Sequence, residues 1–526
     1  GSENMIKANF ISAAKAVEMI KDESTICTIG MTLVSASETI LKEIEKNFLE
    51  TGHPKNITLV HSCGQSDRER GIQHLAHEGL VKRIIGSHWG LQPRWMEMIA
   101  ESKVEAFCLP QGQIAQLYRS MACGLPGKMS KVGLGTFIDP RYEGGKMNER
   151  TKPLKNIVDI LQYDNEEYMF YKAIPLDIVI IRGTTCDEMG NMNGRIGKSA
   201  CGSMGYAIVD AQYADHVIAI TDNLVPFPNL PASIDQTLVD TVVVVDSIGD
   251  PKKIVSGAIR DSDNPRDLLI AKNAVDVIIN SGYFKDGFVY QTGTGGASLS
   301  VTKLLKEEMI KQNIKASLGL GGITSQLVSL HEEGLMDALY DTQSFDLDAV
   351  RSIAENPKHY EISASFYANP NTPGPAVNNL TFVMLSALEI DKDFNVNVMT
   401  KSDGTINQAV GGHQDTAPGA KISVILAPLM RARIPIIVDK VTTVCTPGEA
   451  VDVICTDYGI VVNPRRKDLI ETLTKAGVEL KTIEEMKEMA EQLTGKPDPV
   501  EFTDEIVGVV EYRDGSIIDV IKKVKE

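Results

Sequence analysis

The sequence predicts an α/β protein made of two related, doubly wound halves, because one pattern occurs twice in its 526 residues. The apolar run Val179-Ile180-Ile181 leads into Asp187-x-x-x-Asn191-x-Asn193, and Val383-Met384-Leu385 leads at the same spacing into Asp391-x-x-x-Asn395-x-Asn397. Each copy is followed by a glycine-rich loop, Cys201-Gly202-Ser203-Met204-Gly205 and Gly411-Gly412-His413-Gln414-Asp415, and then by another apolar run. Upstream of each copy come strand, glycine turn, helix and strand in succession, the βαβ unit of a parallel sheet.

Along the chain, residues 10–21 form an amphipathic stretch, and residues 25–30 are an apolar run ending at a glycine. Residues 36–48 carry apolar side chains at helical spacing, and residues 56–60 are rich in β-formers. The second half repeats the order. Residues 288–292 run into Gly293-Thr294-Gly295-Gly296, the helical pattern 299–311 follows, and residues 316–320 are strand-like before the turn at Gly321-Gly322. Residues 481–493 alternate charges as a solvated helix surface does. A chain of this length exceeds what one core serves, so two domains are expected, 1–284 and 285–526, with the boundary within residues 282–287. Ligands of parallel sheets sit beyond the carboxyl ends of the strands, where these glycine loops lie. Function is expected there.

Composition narrows the classes further. With 43% hydrophobic and 23% charged residues, and no apolar stretch near the roughly 18 residues of a membrane span, a soluble globular protein is expected. No secretion signal precedes the first amphipathic stretch. The eight cysteines are scattered without a Cys-x-x-Cys pair, which argues against a disulfide scaffold and a structural zinc and for a reducing cytoplasm. A net charge of −17 disfavours nucleic acid and anionic membranes as partners, whereas an anionic substrate can still bind where amides and a few cations are focused.

Several motifs invite other chemistries. Gly293-Thr294-Gly295-Gly296-Ala297-Ser298 nearly makes a dinucleotide fingerprint, but Ser298 stands in for the last glycine and no acid ends the next strand. It also lacks the Gly-Lys-Ser/Thr ending of a phosphate loop, so its glycines either admit a ligand to the backbone or make a tight turn. His74-x-x-His77-Glu78 has ligand spacing on a predicted helix but no third ligand, and a polar helix face is expected instead of a metal. His413-Gln414-Asp415, read as an extended segment, turns neighbouring side chains apart, and no glycine-flanked serine accompanies it as a hydrolase would require.

From about residue 190 onward the residues carry a resemblance. Gly194-Arg195-Ile196-Gly197-Lys198-Ser199-Ala200-Cys201-Gly202-Ser203, Leu224-Val225-Pro226-Phe227-Pro228-Asn229, Gln291-Thr292-Gly293-Thr294-Gly295-Gly296-Ala297-Ser298, Ser386-Ala387-Leu388-Glu389-Ile390-Asp391 and Gly411-Gly412-His413-Gln414-Asp415-Thr416-Ala417 resemble the alpha subunits of citrate lyase. The first third, with Leu109-Pro110-Gln111-Gly112 and Lys131-Val132-Gly133-Leu134-Gly135-Thr136-Phe137-Ile138-Asp139-Pro140-Arg141, is instead similar to single-chain acetate or propionate CoA-transferases. Both belong to one superfamily. The resemblance implies two doubly wound domains of the CoA-transferase type and an enzyme that exchanges acetate for citrate on a thioester. It implies coenzyme A or a phosphopantetheine-type arm on an acyl carrier protein as thiol, a lyase beta subunit as partner, and a homo- or hetero-oligomer. The alternatives are a stand-alone transferase for short monocarboxylates and an inactive carboxylate-binding subunit.

In that superfamily a glutamate in the loop after the second strand of the carboxyl-terminal half attacks the thioester. Here the loop reads Gly321-Gly322-Ile323-Thr324-Ser325-Gln326-Leu327 and holds no acid. Glu332 and Glu333 follow in a predicted helix, and Glu389 matches Thr185 in the internal repeat, so surface or strand-end roles are expected for all three. The implied chemistry is then direct attack by a citrate carboxylate, with the Gly411-Gly412 amides as an oxyanion hole. Arg195, Lys198, Ser199 and His413 are candidate partners of the other carboxylates. Gly293, Gly295, Gly296, Gly321 and Gly322 are candidate amide donors, and Thr324, Ser325 and Gln326 line the loop.

Overall fold

The computed structural model describes residues 9–28, 38–61, 71–87, 89, 92–197, 200–204, 214–248, 264–369, 373–407 and 412–526. The chain divides into two compact units, Gly1–Val255 with Asp504–Glu511 and Gly515–Lys523, and Ser256–Thr503 with Tyr512–Asp514 and Val524–Glu526. The division comes earlier than residue 284 because the helix over Pro265–Asn280 buries Ile270, Ala274, Val277 and Ile278 in the second core, with Phe288, Tyr290 and Leu305. Sequence gives no hint that Asp504–Glu511 and Gly515–Lys523 belong with the first unit.

In the first unit, strands β1 (Asn9–Ile11), β2 (Thr25–Thr28), β3 (Ile57–Val60), β4 (Val81–Gly86), β5 (Glu105–Cys108), β6 (Ile178–Arg182), β7 (His216–Thr221) and β8 (Thr241–Val244) form one sheet. Its order is β1-β8-β7-β6-β2-β3-β4-β5, and its pairs are parallel. The order reverses between β2 and β6, the switch point of a doubly wound fold. Helices α1 (Ala13–Glu18), α2 (Glu38–Thr51), α3 (Pro93–Ala100) and α4 (Gln111–Ala122) contribute Val17, Ile40, Ile44, Trp95 and Leu117 to the core. All five residues of β6 are buried, as a central strand covered on both faces requires.

The second unit repeats the plan. Strands β9 (Phe288–Gln291), β10 (Ala316–Ile323), β11 (Met336–Ser344), β12 (His359–Glu361), β13 (Phe382–Ser386), β14 (Ile422–Leu426), β15 (Val453–Thr456), β16 (Gly459–Val462) and β17 (Leu480–Lys481) run in the order β12-β11-β10-β9-β13-β14-β15-β16-β17. Neighbours are parallel except β15 and β16. The switch point falls between β9 and β13. Its helices are α5 (Pro265–Asn280), α6 (Gly296–Gln312), α7 (Ser325–Glu332), α8 (Leu347–Glu355), α9 (Ala364–Ala368), α10 (His413–Gly419), α11 (Lys467–Lys475) and α12 (Ile483–Thr494).

Three local expectations are corrected. The strand expected over 316–320 continues to Ile323, so Gly321 and Gly322 form no turn; they pair with Asp341 and Gln343 across a bulge. Gly321 needs its φ of +96°, and a side chain on Gly322 would collide with the ring of Phe345. His413-Gln414-Asp415 is helical rather than extended. His74 lies in a single 3-10 turn, Gly71–Leu75, and is bound by Glu38 at 2.5 Å and Glu45 at 3.4 Å, while His77 holds Glu45 at 2.6 Å. Glu38 and then Glu45 raise the His74 pKa against the opposing effect of burial. That pair ties α2 to the following turn.

The repeated Asp-x-x-x-Asn motif has the same part in both units. After β6, Thr185–Asp187 pairs antiparallel with Met192–Asn193 and parallel with Leu224–Val225. After β13, Glu389–Asp391 does the same with Val396–Asn397 and Ile437–Val438. One oxygen of buried Asp187 accepts the amides of Met189, Gly190 and Asn191, and the other accepts the Asn191 side chain and the amide of Asn229. Asp391 accepts the amides of Asp393, Asn395 and Val441 and the Asn395 side chain. Burial alone would raise the Asp187 pKa; these hydrogen bonds outweigh it and leave the carboxyl below its ordinary value. Asp187→Asn and Asp391→Asn should each cost about 2–4 kcal/mol in urea unfolding, because an amide nitrogen then faces donors that oxygen had accepted. A loss under about 0.5 kcal/mol would show the turns to be held by their backbone instead.

Candidate active site at the carboxyl edge of the second sheet

Strand ends and helix starts converge at one edge of the second unit. β9 ends at Gln291 and α6 starts at Gly296; β10 ends at Ile323 and α7 starts at Ser325. β13 ends at Ser386, whose carbonyl accepts from His413 Nε2 at 3.0 Å, so α10 also begins at this edge. The first amides of a helix lack partners inside it and point along its axis, which makes such an edge receptive to negative charge.

The floor of the edge is built by long-range contacts. The Gln291 amide nitrogen donates to the Tyr367 hydroxyl at 2.7 Å, and that hydroxyl lies 3.0 Å from the Gln291 oxygen. A side chain on Gly321 would stand 2.7 Å from Gln291, and one on Gly412 would stand 3.1 Å from the Tyr367 hydroxyl. Gly321, Gln291, Tyr367 and Gly412 are therefore contiguous, with glycine where the packing leaves no room. Gly295 is different: its φ is an ordinary −66°, and nothing lies within 4 Å of where its side chain would be. Neither strain nor packing demands glycine there, so open room at the start of α6 is what the residue provides. Gly293 has only Ser298 Oγ nearby, at 3.6 Å.

Gly412 precedes α10, and its carbonyl accepts from the Asp415 and Thr416 amides and the Thr416 hydroxyl. Its own N–H donates to no partner among the described residues. His413 beside it is buried, and Nε2 gives its proton to Ser386 O, so Nδ1 accepts from Thr446 Oγ1 at 2.6 Å. Burial pushes this imidazole down to about 4, so it is neutral near pH 7 and serves as an anchor of the turn, not as a cation for carboxylates. Burial also pushes Asp415, partly exposed on the first turn of α10, up to about 7 against the pull of Arg513.

The loop after β10 holds no carboxylate. Thr324 is fully buried with its hydroxyl unpartnered among the described residues, and the Ser325 amide is taken by Asp346 at 2.6 Å. The Gln326 amide nitrogen is turned onto Leu299 O at 3.0 Å. Glu332 pairs with Arg351 and Glu333 with Lys306 at the surface. Glu389 accepts from the Asn397 side chain and the Thr442 amide, the counterpart of Thr185 against Asn193 in the first unit. The structure thus gathers Gly293, Gly295, Gly296, Gly321, Gly322, Thr324, Ser325, Gln326, Gly412 and His413 in one unit. Arg195 lies in the first unit after Met192–Asn193, half-buried, with its amide on Asn193 Oδ1 and its buried Nε unpartnered among the described residues. Lys198, Ser199 and Gly411 lie outside the described residues. Sequence reasoning missed Gln291 and Tyr367; Gln291 adjoins the glycine turn, whereas nothing local marks Tyr367.

Comparison with known proteins gives two overlapping family matches. The Coenzyme A transferase family model matches residues 10–244, and the model for "Citrate lyase, alpha subunit" matches residues 168–524. The citrate lyase alpha chain of Klebsiella pneumoniae is 54% identical over 421 residues, 79% of this chain and 78% of that one. Acetate CoA-transferase YdiF of Escherichia coli is 41% identical over 182 residues, 34% of each chain. Among solved structures, a Streptococcus mutans protein described as an alpha subunit of citrate lyase, in complex with citrate, matches with a TM-score of 0.79 and 38% identity over 100% of this chain and 96% of its own.

The neutral, buried state of His413 has a pH consequence. Its pKa is about 6.5 unfolded and about 4 folded, so between those values unfolding takes up a proton. Its contribution is complete above about pH 6.5 and is lost as the pH falls towards 4, by up to about 3 kcal/mol. His413→Gln, which cannot titrate, should flatten that part of the stability profile in urea unfolding between pH 4.5 and 7. An unchanged slope would refute the neutral assignment.

Proposed function

The chain belongs to the citrate lyase alpha-subunit family of coenzyme A transferases, and from that membership we propose that it exchanges acetate for citrate on a thioester. The thiol is coenzyme A or a coenzyme A-like arm on an acyl carrier protein. The carrier and a lyase beta subunit complete the assembly in which the product is used.

The chemistry proceeds without an enzyme nucleophile. A citrate carboxylate oxygen attacks the acetyl thioester carbonyl, and the tetrahedral oxyanion collapses with loss of thiolate to a mixed anhydride. The thiolate then attacks the citryl carbonyl of that anhydride, and acetate leaves with the bridging oxygen. Two oxyanions form in turn. The amide of Gly412, which has no partner among the described residues, is suited to both, because a fixed donor stabilises charge that appears only in the transition state, and Gly411 is proposed to add its own. The open start of α6 at Gly295 gives the thioester room to approach. His413 is proposed to hold the Gly412 turn in place.

One observation carries the direct route: the loop after β10, where the resemblance places the superfamily's nucleophile, reads Thr324-Ser325-Gln326 and holds no acid, and the Gln326 amide nitrogen donates to Leu299 O. A neutral amide cannot form the acyl anhydride that precedes an enzyme-bound thioester. The two substrates must therefore be bound together, and initial rates should show sequential rather than ping-pong kinetics. Acetyl-CoA alone, followed by borohydride and intact mass measurement, should leave the chain unmodified. A coenzyme A-sized adduct mapped to Glu332, Glu333 or Glu389 would overturn the mechanism. Acetate release should depend on citrate more than on propionate or butyrate; the reverse order would favour the monocarboxylate activity that the relatedness of the first third to acetate transferases suggests.

If Gly412 lines the oxyanion hole, Gly412→Val should lower turnover by roughly 100-fold or more with citrate affinity within a few-fold. Equal losses of both would make it a substrate clamp.

A further inference from the structure

Two arginines at the same edge have no assigned part. The guanidinium of Arg266, in the first turn of α5, donates Nη1 to Met430 O at 3.4 Å. The next residue, Arg431, donates its own Nη1 to Ala387 O at 2.9 Å. The two heads are thus tied to one short hairpin, Met430–Arg431 with Ile434–Pro435, and to the connection that follows β13. Both residues are half-buried, and Arg266 Nε is buried with no hydrogen-bond partner among the described residues. No described carboxylate pairs with either head: the nearby Asp457 gives an oxygen to the Leu429 amide. Arg466 and Arg83, by contrast, are matched, the first by Asp452 and Asp468 and the second by Glu105, whereas Arg182, buried in the first unit, gives Nη1 to Ile248 O. Burial, and then the charge of Arg266, depress the Arg431 pKa, so the pair is held together at a cost in free energy. Like charges kept desolvated, with no acid among the described residues, are the converse of a stability device and suit an anion.

We propose that Arg266 and Arg431 form an anion-binding fork that takes the carboxylates of citrate which do not react. The proposal rests on the citrate-transferase reading and deepens it. Position favours citrate over a phosphate of the thiol carrier. Ala387, which holds Arg431, adjoins Ser386, which holds His413, and His413 adjoins Gly412. An anion seated on the fork therefore lies beside the strand end where the thioester carbonyl is attacked. The carboxylates of citrate are a few bonds from one another, whereas the phosphates of coenzyme A are at the far end of the pantetheine arm from the thiol. The planar guanidinium also matches a carboxylate with two parallel hydrogen bonds, and each head has nitrogens left after its backbone contact.

The test uses the full chain as parent, Arg266→Gln, Arg431→Gln and Arg431→Lys. Glutamine keeps a donor for the backbone carbonyl and removes the charge; lysine keeps the charge and removes the fork. Calorimetric titration with citrate should show its Kd raised about tenfold or more in both glutamine variants and partly restored in the lysine variant, with the KM for acetyl-CoA within about twofold of the parent. Without citrate, the glutamine variants should melt no lower than the parent, since one of two facing like charges is gone; either variant suffices if the other fails to fold. Unchanged citrate affinity in the glutamine variants would overturn the fork. So would a raised KM for acetyl-CoA that is absent with dephospho-CoA, which would assign the arginines to a phosphate. A parent that binds no citrate would instead remove the substrate reading on which the fork depends.

Discussion

A buried carboxylate holds the working edge of the second unit in place. Asp391 gathers the amides of Asp393, Asn395 and Val441, and the turn it closes carries Asn395 and Val396. Asn395 accepts the Gly448 amide, and the Val396 amide donates to Thr446 O. The Thr446 hydroxyl then meets His413, and Cys445 O accepts from Gln414. A continuous path of hydrogen bonds thus runs from one carboxylate to the turn at Gly412. A buried charge is tolerable only when fully bonded, so the turn has one arrangement in which Asp391 is satisfied, and the amide beside His413 inherits that order.

The two copies of the motif show how one scaffold acquires different chemistry. Asp187 and Asp391 do the same structural work, but the residue two positions earlier diverges from Thr185 to Glu389. In the first unit the threonine hydroxyl donates to Asn193; in the second the glutamate accepts from Asn397 and from Thr442. Both bonds fall on Oε1 of Glu389 and fix that carboxylate at the strand end. In the proposed mechanism catalysis then rests on oriented donors and on proximity of the two substrates.

Electrostatics of the edge follow burial more than formal charge. In a chain of net charge −17, the proposed anion site draws on amides, helix starts and arginines tied to backbone carbonyls. His413 is held neutral because it is enclosed, and burial pushes Asp415, two residues on, towards neutrality.

The sequence by itself determined the duplicated α/β plan, the βαβ order around Gly293 and the missing acid after β10, because these are written in local spacing and residue type. Periodicity placed the helices of 38–51 and 296–312 within a few residues of their ends. It misread Gly321-Gly322 as a turn, since a bulge is decided by the neighbouring strand, and it read His413 as a possible cation, since burial is invisible in a residue's own identity. Only the tertiary structure brought Gln291 to Tyr367 across 76 positions, and Arg266 to Met430 across 164. Such contacts depend on which strands become neighbours, and that is settled by packing of the whole sheet.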